Sequence, residues 1–198
     1  MIELSGKLIP IDRSKVKMQK PKLQIKSQKL DRSFFSVLGL VGITIFLRLI
    51  PHPPNFAPIG ALAIFSGSQF NKKTAWLLPL VVMFVSDVFL GFHSVIPFVY
   101  GSFVIIALLG SFLKKNQPGR VLGVGFLSSI IFFIVSNFGV WLMTNLYTKN
   151  LSGLINCYAM AVPFFRNTLL SDVIFTAVFF YGYQLFFVFL KKLRFSFK

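Results

Sequence analysis

A small set of polar and charged side chains interrupts the apolar stretches of this sequence. Arginine and histidine bind anionic groups, aspartate binds an amine or orients a neighbouring cation, asparagine supplies hydrogen bonds, and tyrosine and tryptophan stack on apolar rings. The set consists of Arg48, His52, Asn55, Asp87, His93, Tyr100, Asn137, Trp141, Arg166, Asn167 and Asp172. We expect these residues to bind a small ligand.

The common motifs of nucleotide, redox, zinc and serine-hydrolase chemistry are missing from the sequence: there is no P-loop, GxGxxG, CxxC, HExxH or GxSxG. We therefore predict neither an enzyme nor a bound cofactor. His52, His93 and Asp87 do not have the spacing of metal ligands, and no metal is predicted. A membrane enzyme that uses Asp87 with one of these histidines is kept as a third hypothesis, behind the two given at the end of this section.

The composition is that of a membrane protein. Of the 198 residues 55% are hydrophobic, and the formal net charge is +16. This apolar share exceeds that of an ordinary soluble domain. Nucleic-acid binding is not expected, because the basic residues lie at the ends of apolar segments rather than on one folded face.

The first 33 residues differ from the rest of the chain. They contain nine Lys or Arg, three acids and no aromatic residue, so they have little apolar surface to bury. We predict that residues 1–33 are a flexible basic cytoplasmic tail that contacts anionic lipid or another protein. Residues 34–193 are predicted to form the transmembrane domain, and residues 194–198 a basic cytoplasmic C-terminus.

Six apolar segments predict helices that cross a membrane, for which about 20 residues are needed. They cover residues 34–50, 56–70, 74–91, 95–113, 121–147 and 168–190. The predicted fold class is therefore an all-α membrane protein, a six-helix transmembrane bundle. The second segment is the shortest, at about 22 Å if helical.

The basic residues between these segments set the predicted orientation, because Lys and Arg are retained on the cytoplasmic side. With both termini in the cytoplasm, the inner loops receive Lys72, Lys73, Lys114, Lys115 and Arg120. The polar set then gathers near the outer surface. Ionisable side chains within membrane spans usually face a cavity or one another, so we predict a pocket that faces the extracytoplasmic side.

Two interpretations of the four charged residues in this set stay open. Arg48 and Arg166 could pair with Asp87 and Asp172 as structural ties, or the same residues could contact a ligand. Predicted helix N-termini favour an anionic ligand group. Asn55 and Ser94 are expected to cap spans two and four, and span six is expected to begin near Asn167, so three helix N-termini would point at the outer layer.

Span two carries small residues that let another helix approach closely. Ala57, Gly60, Ala61 and Gly67 are therefore interpreted either as internal packing or as a face that docks a partner protein. Between spans five and six, the apolar spacing over residues 151–165 predicts a short amphipathic helix that lies at the membrane interface.

Five blocks of sequence resemble a family of bacterial integral membrane proteins of unknown function. They are RLIPHPPNFAPIGA at 48–61, SDVFLGFH at 86–93, VYGSF at 99–103, SNFGVW at 136–141 and PFFRNTLLSD at 163–172. The resemblance covers nearly everything after the tail. It implies a multi-pass protein of the bacterial cytoplasmic (inner) membrane.

The six-span plan, the small-residue second span and the ending of span three from Asp87 to Gly91 are also similar to the substrate-binding S components of energy-coupling-factor vitamin transporters. This more distant resemblance implies a ligand pocket beneath the outer loops, which here carry His52 and Asn55, His93, and residues 151–166. It also implies coupling subunits as partners.

We therefore predict a membrane subunit that binds and transports a small anionic or zwitterionic nutrient by rocking or gating around an outer pocket. Its expected partners are membrane lipids, the small-molecule ligand and coupling or complex subunits, and not nucleic acid. The alternative is a non-catalytic accessory or structural subunit of a larger membrane complex.

Overall fold

The computed structural model describes residues 2–4, 7–9, 37–71, 73–113 and 118–196. The chain divides into two units, Met1–Gly39 and Leu40–Lys198. In the first unit, strand β1 (Ile2–Leu4) pairs antiparallel with β2 (Lys7–Ile9). Most of the predicted flexible tail lies outside the described residues, so its flexibility stays a prediction.

Six helices account for most of the described residues. They are α1 (Val37–Leu49), α2 (Ile59–Gln69), α3 (Leu77–Leu90), α4 (Ile96–Gly110), α5 (Pro118–Met143) and α6 (Leu151–Ser196). The prediction of six helices is confirmed, and each of them lies at one of the predicted apolar segments. The described part of the second unit contains no strand.

Two of the helices are long and apolar enough to cross a membrane, judged by length and composition: Gly119–Met143 and Leu151–Leu185. The other four helices are shorter, and α2 with its 11 residues is only about 16 Å long. The number of crossings is therefore treated below as part of the proposed function.

The long helix α6 differs from the expectation of an interfacial helix followed by a separate sixth span. It runs without interruption from Leu151 to Ser196 and contains Pro163. Proline removes one backbone hydrogen bond. Contacts with α5 nevertheless hold in place the part of α6 that precedes Pro163. The Tyr158 hydroxyl donates to the Ile134 carbonyl oxygen at 2.7 Å. Asn167 consequently lies within the helix, and the prediction of a helix N-terminus there is wrong.

The centre of the bundle is α2, in which every residue from Ile59 to Gly67 is buried. It packs against α3, α4, α5 and α6. A methyl group at Gly67 would overlap the Ala107 carbonyl oxygen of α4, and one at Gly110 would overlap the Ile64 carbonyl oxygen of α2. These two glycines therefore allow the backbones of α2 and α4 to approach closely.

This burial decides between the two interpretations of the small residues in span two. Ala61 is fully buried, Gly60 lies against α6, and Gly67 lies against α4. Ala57 is partly buried, and its carbonyl oxygen accepts a hydrogen bond from Ser171 at 2.8 Å. These residues pack inside the chain, so they do not form a partner-docking face.

The outward faces of α3 to α6 carry many large apolar side chains. Phe89 is 72% exposed, Phe84 57%, Leu170 55% and Val178 53%. So many exposed large apolar side chains indicate that an apolar environment or a partner covers these faces.

One buried hydroxyl has no hydrogen-bond partner among the described residues. It is Oγ1 of Thr176 on α6, which lies beside Gly125 of α5. An unsatisfied buried polar group is costly, so Thr176→Val is expected to raise the free energy of unfolding by about 1 kcal/mol. Denaturant titration of the protein in detergent micelles measures this change.

Thr44→Val is the matched control for this substitution. Thr44 is also fully buried, but its hydroxyl donates to the Leu40 carbonyl oxygen at 2.7 Å. Its replacement removes a hydrogen bond and is expected to lower stability. Equal losses of stability in the two variants would show that Thr176 has a partner.

Candidate ligand-binding site

A cavity of about 680 Å³ lies at one end of the helix bundle. At this end α1 and α3 finish and α2 and α4 begin, and the C-terminal half of α5 and the middle of α6 complete the wall. Lys73 and Arg120 lie in the chain at the opposite ends of α3 and α5. The cavity is therefore at the end of the bundle away from these basic residues.

The wall of the cavity is mainly apolar and aromatic. Phe103 comes from α4, Phe132 and Phe133 from α5, and Phe164 and Phe165 from α6. The polar residues of the wall are Arg48, His52, Asn55, His93, Ser136, Asn137, Thr168 and Asp172. An apolar wall with a few polar groups, at this volume, is typical of a small-molecule site.

The structure brings together part of the predicted polar set. The members that line the cavity are Arg48, His52, Asn55, His93, Asn137 and Asp172. The members that do not line it are Asp87, Tyr100, Trp141, Arg166 and Asn167. Both histidines of the chain are therefore on the wall.

Arg48 is held on the cavity wall by residues behind it. Its Nη2 lies 2.6 Å from Oδ1 of Asp87, and its Nη1 contacts the sulfur of Met83. The hydroxyl of Tyr100 donates to Oδ2 of Asp87 at 2.7 Å. Asp87 is buried, and it both neutralises and orients the guanidinium. Asp87 and Tyr100 are thus positioned to fix Arg48 rather than to touch a ligand.

The second possible tie, between Arg166 and Asp172, is not formed. Among the described residues, the one ion pair joins Arg48 and Asp87, and Asp172 has no ion-pair partner. Arg166 is exposed, and it precedes Asp172 by six residues of the continuous helix α6. Six residues correspond to about 600° of helical rotation, so the two side chains point in different directions.

Two hydroxyl groups of α5 hold Asp172 instead. Ser128 and Ser129 each donate to Oδ2 of Asp172, at 2.7 and 2.8 Å. Oδ1 of the same carboxylate faces Gly60 of α2, where a methyl group would overlap it. Asp172 is 2% exposed and lines the cavity, so it is a buried carboxylate on the wall of a potential binding site.

The connection between α1 and α2 forms part of the wall and is attached to α6. Nδ2 of Asn167 donates to the Pro54 carbonyl oxygen at 3.0 Å, and Ser171 donates to the Ala57 carbonyl oxygen. Asn167 is therefore a structural contact of this connection. The three prolines of residues 51–54 stiffen the same stretch.

The predicted side-chain caps are not formed. Asn55 has a positive φ of 62°, a conformation that asparagine tolerates well, and α2 begins later, after Pro58. Helix α4 begins after Val95 rather than at Ser94, without a side-chain cap. Asn55 therefore lies in a turn on the cavity wall and does not cap α2.

Trp141 lies outside the cavity, at the connection between α5 and α6. Its Nε1 donates to the Thr148 carbonyl oxygen at 2.9 Å, and Nζ of Lys149 lies 5.8 Å from the ring centroid. The expectation that Trp141 stacks on a ligand does not fit this position. The phenylalanines of α5 and α6 provide the aromatic part of the wall instead.

Sequence reasoning missed four polar residues of this region. Ser136 and Thr168 line the cavity, and Ser128 and Ser129 hold Asp172. The adjacent serines within FLSSIIFF were a usable signal, because two hydroxyls in the middle of an apolar helix need acceptors. A metal site made from His52, His93 and Asp87 is not formed, since no three His, Cys, Asp or Glu side chains of the described residues could hold an ion together.

The described residues thus define a class: a helical protein with candidate membrane-crossing helices and, at one end of the bundle, a cavity that has both apolar and polar walls. The chain belongs to a family of unknown function, DUF6580, whose model matches residues 28–193. No curated protein and no solved structure matches the chain.

Proposed function

We propose that this protein is an integral membrane protein that binds a small organic molecule in the cavity between its helices. One observation carries the proposal: a cavity of about 680 Å³ has a largely apolar wall on which Arg48 and the buried carboxylate of Asp172 are both fixed by other residues. Groups held in this way are preorganised, which reduces the cost of binding.

The exposed apolar faces support a location in the membrane. We propose that all six helices cross the bilayer and that both termini are cytoplasmic. This arrangement places Lys73 and Arg120 on the cytoplasmic side, as the positive-inside rule requires, and the cavity at the extracytoplasmic end. The resemblance of the sequence to bacterial integral membrane proteins supports the proposal that this membrane is the cytoplasmic membrane of a bacterium.

Transport is the part of the proposal that rests on the resemblance to S components. In this proposal the ligand enters from the extracytoplasmic side, and a rocking or gating motion releases it inside after a coupling subunit binds. The alternative is an accessory subunit of a larger complex. The small residues of α2, which we considered as its partner-docking face, are packed inside the chain and do not support it.

The experiment that tests binding fills the cavity. Ala161 lines it and is 7% exposed, so Ala161→Phe is expected to displace a bound molecule. Native mass spectrometry of the protein released from detergent is expected to show a retained small molecule in the wild type, and at least tenfold less in this variant.

Val162→Phe is the matched control. Val162 is adjacent in sequence but 46% exposed, so the same side chain is added outside the cavity. Retention in this variant should equal that of the wild type. A retained molecule that is equally abundant in Ala161→Phe, or no retained molecule in the wild type, would contradict the proposed function.

A further inference from the structure

We propose that Asp172 recognises a positively charged nitrogen, so that the ligand is an organic amine or an amino acid with an apolar body. This inference rests on the proposed function and names its substrate class. It narrows the anionic or zwitterionic nutrient that the sequence predicts to one that carries a positive group, because the charges at the cavity differ from those expected.

The balance of charge at the cavity is the first step. After residue 33 the chain has two acidic residues, Asp87 and Asp172. Asp87 is neutralised by Arg48 at 2.6 Å. Asp172 has no cation within 4 Å among the described residues, so its carboxyl group has no ionic partner on the wall.

The same pairing weakens the case for an anionic ligand. The guanidinium of Arg48 already shares its charge with Asp87, so a carboxylate or phosphate at this point would meet a nearly neutral pair. Arg48 is still able to donate hydrogen bonds to the carboxylate of a zwitterion. The ligand therefore requires a positive group, whereas a negative group is optional.

The geometry of Asp172 is the second step. Both hydrogen bonds that it receives, from Ser128 and Ser129, go to Oδ2. Its Oδ1 lies beside Gly60, the residue whose missing side chain leaves room for the carboxylate. A buried carboxylate is expensive unless it is paired, and a ligand ammonium that donates to Oδ1 would supply that pair.

The surroundings of Asp172 define the rest of the ligand. The hydroxyl of Thr168, one turn earlier on α6, is on the same wall, and Phe132 and Phe133 of α5 and Phe103 of α4 supply aromatic surface. An ammonium group attached to an aliphatic or aromatic body matches this combination of one carboxylate and several apolar faces.

The proposal is tested by equilibrium dialysis of the detergent-solubilised protein against a defined equimolar mixture. The mixture contains primary amines, amino acids, monocarboxylates and alcohols, and each class carries the same set of aliphatic and aromatic bodies. Mass spectrometry then quantifies what the protein retains. We expect the wild type to retain amines or amino acids at least tenfold above the carboxylates and alcohols with the same body.

Asp172→Asn is expected to abolish this preference, because the amide keeps the shape and accepts from the serine hydroxyls but has no charge. Thr176→Val, one turn later on α6 and outside the cavity, is expected to keep it. Since Asp172→Asn could also disturb folding, Ser128→Ala serves as a second variant. It leaves the charge in place while removing one of the two hydrogen bonds to Oδ2, and it is expected to keep the preference at reduced retention.

The outcomes separate this inference from the proposed function. Preferred retention of carboxylates or alcohols, or an amine preference that survives in Asp172→Asn, would overturn the assigned class while ligand binding in the cavity stood. Retention of no compound by the wild type would overturn the class as well. The proposed function is judged by native mass spectrometry of the purified protein instead, and it fails only if Ala161→Phe leaves the co-purified molecule in place or the wild type carries no such molecule.

Discussion

Arg48→Met is expected to lower the free energy of unfolding by about 3–5 kcal/mol, the usual cost of removing one partner of a buried ion pair. Asp87 is 1% exposed, and after the substitution its carboxylate would keep only the hydroxyl of Tyr100 as a partner. Methionine fills much of the space of the arginine stem, so the expected loss comes mainly from the uncompensated charge. Denaturant titration in detergent micelles measures it.

Arg166→Met is the control, because Arg166 is exposed and lies near the same end of the bundle without an ion pair to Asp172. It is expected to change stability by less than about 0.5 kcal/mol. The double variant Arg48→Met with Asp87→Asn should be more stable than Arg48→Met alone, since it removes both charges. If the double variant is the less stable of the two, the ion pair is not the source of the effect.

Gly67→Ala and Gly110→Ala are each expected to destabilise the protein by about 1–3 kcal/mol, the range for overpacking a filled core. The added methyl group would meet backbone atoms at both positions: the Ala107 carbonyl oxygen in the first case and the Ile64 carbonyl oxygen in the second. Backbone cannot rotate away as a side chain can, so α2 and α4 must separate. The thermal midpoint and the free energy of unfolding should both fall.

Gly101→Ala is the matched control on α4, since a methyl group there would have no atom within 4 Å. Alanine is the better helix former by up to about 1 kcal/mol, so this variant should be equal to or more stable than the wild type. Similar losses at Gly101 and Gly110 would mean that close approach of α2 and α4 does not account for the requirement for glycine.

The helices were predictable from the sequence because long apolar segments, separated by turn residues and basic residues, leave few alternatives. The contact between Arg48 and Asp87 was one of two open interpretations, because the sequence supplied only two acids to pair with the nearby arginines. Which arginine reaches which acid depends on the rotation of each helix. The sequence leaves a tie between Arg166 and Asp172 open and predicts that span six begins near Asn167, whereas in the continuous helix α6 the two side chains point in different directions.

The cavity itself could be predicted only as a layer of polar residues. Its wall needs Gly60 beside Asp172, the phenylalanines of α4, α5 and α6, and the attachment of residues 51–57 to α6. These are contacts between segments far apart in the chain, and single-residue propensities contain no information about them. The caps assigned to Asn55 and Ser94 failed for a local reason, because turns moved both helix starts towards the C-terminus.

The complete burial of α2 has a consequence for how the chain is made. Four of the helices that pack around α2, namely α3 to α6, follow it in the sequence and leave the ribosome later. An isolated helix of this length is marginal, and α2 has no outward face of its own to offer to lipid. Its final position is therefore set at a late stage of biogenesis, when α6 has been synthesised and closes around it.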